Sequence, residues 1–174
     1  MRMDLFSIPV FLDKVDLSKI TMTDSNYEAT FFSDVKSNYL YQPQLEPMSY
    51  DYLSQVIERN LKETGKYTDP RITAIWRNVY DPENIQEVHI HADAQWSFII
   101  YETVEKSRTV FLSPAWKQIE VTMGYFAPLF PPNWRPQLDP GSILIFPSFL
   151  EHYVLAGNSG STIAGNVNLK YVNP

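Results

Sequence analysis

The chain contains three histidines, and all three lie in two short segments. His89 and His91 stand in EVHIHADAQW, with Asp93 two residues further on, and His152 stands in PGSILIFPSFLEHYV. The first segment reads as a strand, in which alternate side chains share a face. His89, His91 and Asp93 then point together, while Val88, Ile90 and Ala92 point the other way, into a core. In the second segment, residues 142–146 read as a buried strand. A bend at 147–149 follows, and His152 opens the next strand. Imidazole nitrogens plus one carboxylate oxygen, with other positions left open, suit non-haem Fe(II). The open positions matter because such a metal binds cosubstrate and oxygen at once. Two ligand sets satisfy the pattern: His91, Asp93 and His152, or the three-nitrogen set His89, His91 and His152.

Such residues need a stiff frame, and the rest of the chain supplies one. After Pro70 the sequence breaks into short β-rich runs: 72–80, 86–92, 96–104, 109–113, 119–122, 142–147, 152–155 and 162–172. A further short strand is expected at 5–12 (LFSIPVFL), with Pro9 at an edge position. Turn signals such as Asp81-Pro82 and Lys106-Ser107 separate the runs. Many short strands with turns between them mean a sandwich or barrel rather than an alternating βα sheet. Trp76, Trp96, Phe98, Ile100, Leu144 and Phe146 fit inward positions of two sheets. One helix is expected over 48–64, because Leu53, Val56, Ile57, Asn60 and Leu61 recur at helical spacing. Ser49 can cap it and Gly65 can stop it. It precedes most strands and packs on one sheet. The Pro-rich stretch 128–140, punctuated by Phe130 and Trp134, reads as an ordered loop, with Trp116 in a loop nearby.

Composition narrows the function classes. A chain of 174 residues is the length of about one domain, so residues 1–174 are read as a single unit. It contains no Cys, which removes disulfide scaffolds, Cys-ligated zinc or iron–sulfur sites and Cys nucleophiles. A formal net charge of −6, with neither half basic, argues against a nucleic-acid partner. The aromatic share of 14% is high and favours strands. The opening MRMDLFSIPVFL does not read as a signal peptide, since Asp4 and Pro9 interrupt it. No run approaches eighteen apolar residues, so no membrane partner is expected and a cytoplasmic location is. Gly-rich phosphate loops, a Ser nucleophile elbow and a dinucleotide fingerprint are missing from the sequence.

In order along the chain, ITAIWRNVY, HIHADAQWSFIIYE, PGSILIFPSFLEHYV and TIAGNVNL resemble the 2-oxoglutarate/Fe(II) oxygenases of bacterial and phage genomes. The likeness covers about residues 71–170, and ILIFPSFLEH is also similar to the matching stretch of prolyl and aspartyl hydroxylases. The resemblance implies a double-stranded β-helix (jelly roll) with the iron between its two sheets. It implies Fe(II) and 2-oxoglutarate as cofactors and hydroxylation of a small-molecule or side-chain substrate. By position, His91-x-Asp93 matches the superfamily's proximal His-x-Asp pair and His152 its distal ligand. Asp93 is preferred as third ligand because a carboxylate offsets the metal's charge. His89 is then an alternative ligand or a neighbour of the ligands.

The chain departs from that pattern at one place. The superfamily anchors the far carboxylate of 2-oxoglutarate with an Arg on the last strand. Here that region reads NSGSTIAGN, and no Arg follows Arg135. The candidate anchors are Lys170, Arg77, Arg108 and Lys106 for charge, with Tyr101, Thr162 and Asn78 as hydrogen-bond donors. Two rival readings follow. One is a cupin-like metal enzyme with a three-His site and no 2-oxoglutarate. The other is a jelly-roll binding module without catalysis.

Overall fold

The computed structural model describes residues 7–23, 26–30, 33–65, 67–105 and 107–171. Leu5 and Phe6 of the expected first strand, and Lys106, lie outside these residues. The strands are β1 (Phe11–Lys14), β2 (Glu28–Thr30), β3 (Ser33–Ser37), β4 (Tyr67–Tyr80), β5 (Gln86–His89) and β6 (Trp96–Tyr101). They continue with β7 (Thr109–Leu112), β8 (Asn133–Trp134), β9 (Ser142–Pro147), β10 (His152–Val154) and β11 (Gly160–Tyr171). All pair antiparallel in the order β1-β9-β6-β11-β4-β3-β5-β10-β7-β8, with β2 on β3. The sheet curls. Its long half, β1-β9-β6-β11-β4, faces its short half, β5-β10-β7-β8, and β3 joins them. This is the jelly-roll architecture that the strand pattern and the resemblance imply.

Two apolar layers lie on either side of the long half. Between the halves, Trp76, Ile99, Leu144 and Phe146 meet Phe111 and Val154. On the outside, Ile75, Phe98, Ile100, Ile143, Ile145 and Ile163 meet Leu53, Val56, Ile57 and Leu61 of helix α1 (Pro47–Leu61). Phe98 and Ile100 therefore face the helix rather than the interior between the halves. Every side chain of β9 is buried, which is why its sequence SILIFP lacks the alternation of a half-exposed strand.

The helix lies where periodicity places it, and its buried face carries the expected Leu53, Val56, Ile57, Asn60 and Leu61. A single 3-10 turn, Lys62–Thr64, ends in Gly65 at φ 96°, which suits a residue without Cβ. The start differs from the expectation. Glu46 precedes the helix, Pro47 opens it, and Ser49 lies one turn inside, its Oγ accepting from the Thr21 amide at 2.9 Å. Residues 119–122 are not a strand but part of helix α2 (Trp116–Met123), so Trp116 opens a helix. β-Branched content in so short a run is a weak guide to strand. The Pro-rich stretch is ordered, with Trp134 in β8 rather than in a loop. β1 (11–14) overlaps the run expected as a strand over 5–12 only at residues 11 and 12. No helix among the described residues is long and apolar enough to cross a membrane.

A candidate metal centre and the cavities beside it

Pairing register brings the histidines together. His152 of β10 lies directly opposite His89 of β5 and, on its other side, opposite Phe111 of β7. Directly paired residues share a face of the sheet. His91 follows the end of β5, and its position is set by a second link. Its amide donates to the Ser148 carbonyl at 3.1 Å, and the Ser148 amide donates to the Gln95 carbonyl at 3.1 Å. The turn after β9 is thus tied to the turn after β5, so the two histidine segments are held as one unit.

One ring nitrogen from each of His89, His91 and His152 lies within 4.8 Å of the others. The other nitrogens are engaged. Nδ1 of His89 donates to the Glu87 carbonyl at 2.7 Å, and Nδ1 of His152 to the Leu150 carbonyl at 2.9 Å. Nδ1 of His91 donates to Oδ1 of Asn166 at 2.8 Å. A carbonyl oxygen only accepts, so each ring carries its proton on Nδ1 and keeps the lone pair on Nε2. Burial holds all three rings below the ordinary imidazole pKa. For His91 the value is pushed down to about 4, and for His152 desolvation is reinforced by the neighbouring His89 and His91. Three neutral, oriented imidazoles with free lone pairs form a donor set for a divalent transition metal.

Asp93 is not part of this group. β5 ends at His89, so the two-residue alternation does not run on to residue 93. Ala92 and Asp93 form an exposed turn, with Asp93 at φ 59°. The converging group is thus the three-nitrogen set, with Asp93, the preferred third ligand, outside it. Val88, Ile90 and Ala92 are exposed, not core; β5 ends before Ile90 and Ala92, which border open space beside His89 and His91.

The anchor candidates separate into two groups. Thr162 pairs with Asn78 on one side and with Tyr101 on the other, so three polar side chains form one row across β4, β11 and β6. Tyr80, not foreseen from sequence, is buried beside Thr162 and Asn78, and burial pushes its hydroxyl pKa up to about 12. Tyr101 donates to Thr109 at 3.0 Å and accepts from Ser107 at 3.2 Å. Asn78, Tyr80, Thr109 and Thr162 border a narrow inner pocket of about 20 Å³ beside His152. The charged candidates lie elsewhere. Arg77 alternates to the opposite face from Asn78 and grips Glu102 through two contacts of 2.7 and 2.9 Å. Lys170 is exposed eight residues beyond Thr162, about 26 Å along a strand rising 3.3 Å per residue. Arg108 is exposed and its guanidinium lies against Gly157. Among the described residues, the inner pocket therefore offers a carboxylate neutral donors and no Lys or Arg.

A second, larger cavity of about 360 Å³ opens on the other side of His89 and His91. Val35, Leu40, Trp76 and Ile90 give it an apolar side, and Ser33, Ser37, Asn78 and Gln86 a polar one. β3, which supplies much of this wall, carries no motif that marks it in the sequence. Asn166 could have been found, since it shares the inward face with Thr162 and Ala164 at two-residue spacing.

The sequence and fold have known counterparts. Residues 74–163, just over half the chain, match the model of the family described as "Putative 2OG-Fe(II) oxygenase". A search of curated proteins returned no significant match. Solved structures with a similar fold include an oxidoreductase of the 2OG-Fe(II) oxygenase family from Burkholderia pseudomallei, at TM-score 0.51 and 12% identity, covering 91% of this chain and 67% of that one. Another is the collagen prolyl hydroxylase of Paramecium Bursaria Chlorella virus-1 in complex with 2OG, at TM-score 0.50 and 12% identity, covering 79% of each chain. A third is HygX of Streptomyces hygroscopicus with nickel, 2-oxoglutarate and hygromycin B bound, at TM-score 0.50 and 10% identity, covering 87% and 74%. The matched segment runs from β4 to β11 and includes all three histidines, and the cofactors of the matched family are Fe(II) and 2-oxoglutarate. With the jelly roll, the converging imidazoles and the matched segment together, this chain belongs to the 2OG-Fe(II) oxygenase family.

Proposed function

We propose that the chain is an oxygenase that holds Fe(II) on His89, His91 and His152 and hydroxylates a substrate seated in the larger cavity. One observation carries this reading: three neutral imidazoles converge with every Nδ1 already engaged. When bound, iron with 2-oxoglutarate supplies oxygen activation coupled to oxidative decarboxylation. The chain's own residues hold the ligand rings, exclude water and place the substrate. Glu87, Leu150 and Asn166 fix ring orientation. Phe111 and Phe146 pack on His152 at centroid distances of 5.3 and 5.1 Å and keep its side of the site dry. Asn78, Tyr80 and Thr162 are the donors available to a carboxylate in the inner pocket.

Charge balance supports an anionic cosubstrate despite the missing Arg. Relative to the implied pattern, this site lacks one negative ligand and one positive anchor. The two losses cancel, so a dianion bound to the metal still leaves a neutral assembly. Burying unbalanced charge costs several kcal/mol per ion, so the pairing matters.

The test is anaerobic reconstitution with Fe(II), followed by titration with 2-oxoglutarate. The weak charge-transfer absorption band of the chelate and succinate release under oxygen are the readouts. Both should appear, with weaker 2-oxoglutarate affinity than in Arg-anchored relatives. Thr162→Val and Tyr80→Phe should each weaken it further. His91→Asp should keep metal binding but weaken 2-oxoglutarate, because the site then carries one more negative charge. Stoichiometric Fe(II) with no band at any 2-oxoglutarate concentration would move the reading to the cupin-like enzyme. No Fe(II) binding would leave the binding-module reading.

A further inference from the structure

The larger cavity is uneven in charge. Its described lining contains no Lys or Arg, and its only carboxylate is that of Asp93. The charged residues of β3, Asp34 and Lys36, alternate with the cavity-lining Ser33, Val35 and Ser37 and so face away. Lys36 pairs with Asp81 at 3.5 Å, and Asp34 accepts from the Ile85 amide at 2.8 Å. An anionic substrate group in this cavity would thus meet no protein cation.

Asp93 has no structural task that explains its carboxylate. It sits at φ 59°, a conformation that non-glycine residues rarely adopt and that Asp and Asn tolerate best. The turn is held from behind, where Nδ2 of Asn168 donates to the Asp93 carbonyl at 3.3 Å. The side chain makes no ion pair among the described residues. Strained backbone persists where the surroundings over-determine it, and such positions cluster at ligand sites. The same cavity is lined by an aromatic pair, Tyr39 edge-on to Trp76 at 5.0 Å between centroids. Aromatic faces attract ammonium groups, and a nearby carboxylate adds to that attraction.

We propose that this cavity binds a cationic, amine-bearing substrate group, with Asp93 as its counter-charge and Tyr39 and Trp76 as its wall. The proposal deepens the oxygenase reading by naming a substrate class, but the binding it describes does not require iron chemistry. Asp93 then acts as a specificity residue, not a metal ligand.

The experiment uses three probes of similar shape: phenethylammonium, phenethyl alcohol and 3-phenylpropionate. Each is titrated into the metal-free and the Mn(II)-loaded protein, with ligand-observed NMR as the readout. The ammonium probe should bind about fivefold tighter than the alcohol and about tenfold tighter than the carboxylate, as expected for a part-exposed ion pair with an aromatic face. Asp93→Asn keeps a residue that tolerates the backbone and should erase most of the preference. It should leave Mn(II) affinity unchanged. Equal or tighter binding of the carboxylate probe to the metal-free protein would overturn the proposal, as would no detectable binding of the ammonium probe. An unchanged preference in Asp93→Asn, or loss of Mn(II) affinity in that variant, would also overturn it. Failure of the oxygenase reading is read separately, from the 2-oxoglutarate band and succinate release.

Discussion

Strands β4, β6 and β11 carry two chemistries on their two faces. Toward α1 the rows read Arg77, Ile163, Ile100 and then Ile75, Gly165, Phe98. Toward the interior they read Asn78, Thr162, Tyr101, then Trp76, Ala164, Ile99, then Ala74, Asn166, Ser97. The outer face is almost wholly aliphatic and aromatic. The inner face alternates apolar rows with hydrogen-bonded polar ones, and the polar rows are what the site uses. Burying those polar groups is tolerable because they find partners: Ser97 bonds Ser148 at 2.7 Å, and Asn166 accepts from both His91 and Ser97. The lesson is one of separation. Stability rests mostly on one face and function on the other, one residue apart in sequence. Gly165 shows how tight the scaffold face is, since a Cβ there would meet the Phe98 ring and come within 2.8 Å of the Ala74 carbonyl.

The separation can be broken deliberately. The largest effect is expected from His152→Ala or His91→Ala, which should reduce Fe(II) affinity by more than the roughly 10–100-fold typical of lost supporting hydrogen bonds. Cooperative unfolding should survive in both. Equilibrium dialysis together with thermal melts checks this, and an unchanged affinity in either variant would count against the site. On the other face, Leu53→Ala removes a fully buried α1 side chain and should cost about 2–5 kcal/mol. Denaturant titration measures that cost. The folded fraction should bind Fe(II) as the parent does, and a loss there would mean that the faces are not independent.

Acid should expose the inner face selectively in the metal-free protein. A histidine held at about 4 when folded but near 6.5 when unfolded takes up its proton preferentially in the unfolded state. Stability should therefore fall as pH drops from about 6.5 toward 4 and change little from this cause above that window. The shift at His91 corresponds to about 3 kcal/mol, since each pKa unit is 1.36 kcal/mol. His91→Asn should flatten the dependence when unfolding is followed from pH 7.5 to 4.5. A slope as steep as the parent's would assign the acid sensitivity elsewhere. The smallest effect is expected at Asn166. Asn166→Ala removes the acceptor that orients His91, and should weaken Fe(II) binding about 10–100-fold with the other ligands intact. Asn166→Asp should restore the acceptor and most of the affinity.

Local patterns determined much of this molecule. Helical spacing of Leu53, Val56, Ile57 and Leu61 located α1 and its buried face, because one apolar stripe needs only its own period. Short β-rich runs between turn signals located most strands and implied the jelly roll. Every histidine was already visible as a member of one of two segments. Three things were decided only by the folded structure. That a ring nitrogen of His89 comes within 4.8 Å of those of His91 and His152, while Asp93 lies in an exposed turn, depended on where β5 stops. Whether Val88 and Ile90 are core depended on whether anything covers that face of β5, which no stretch of local sequence records. The absence of a cation from the inner pocket was legible as a missing Arg. That Arg77 could not replace it became clear only when the register of β4 against β11 put Arg77 and Asn78 on opposite faces. Alternation along a strand is a local property, but which of its two faces becomes the interior is fixed by contacts between residues far apart in the chain.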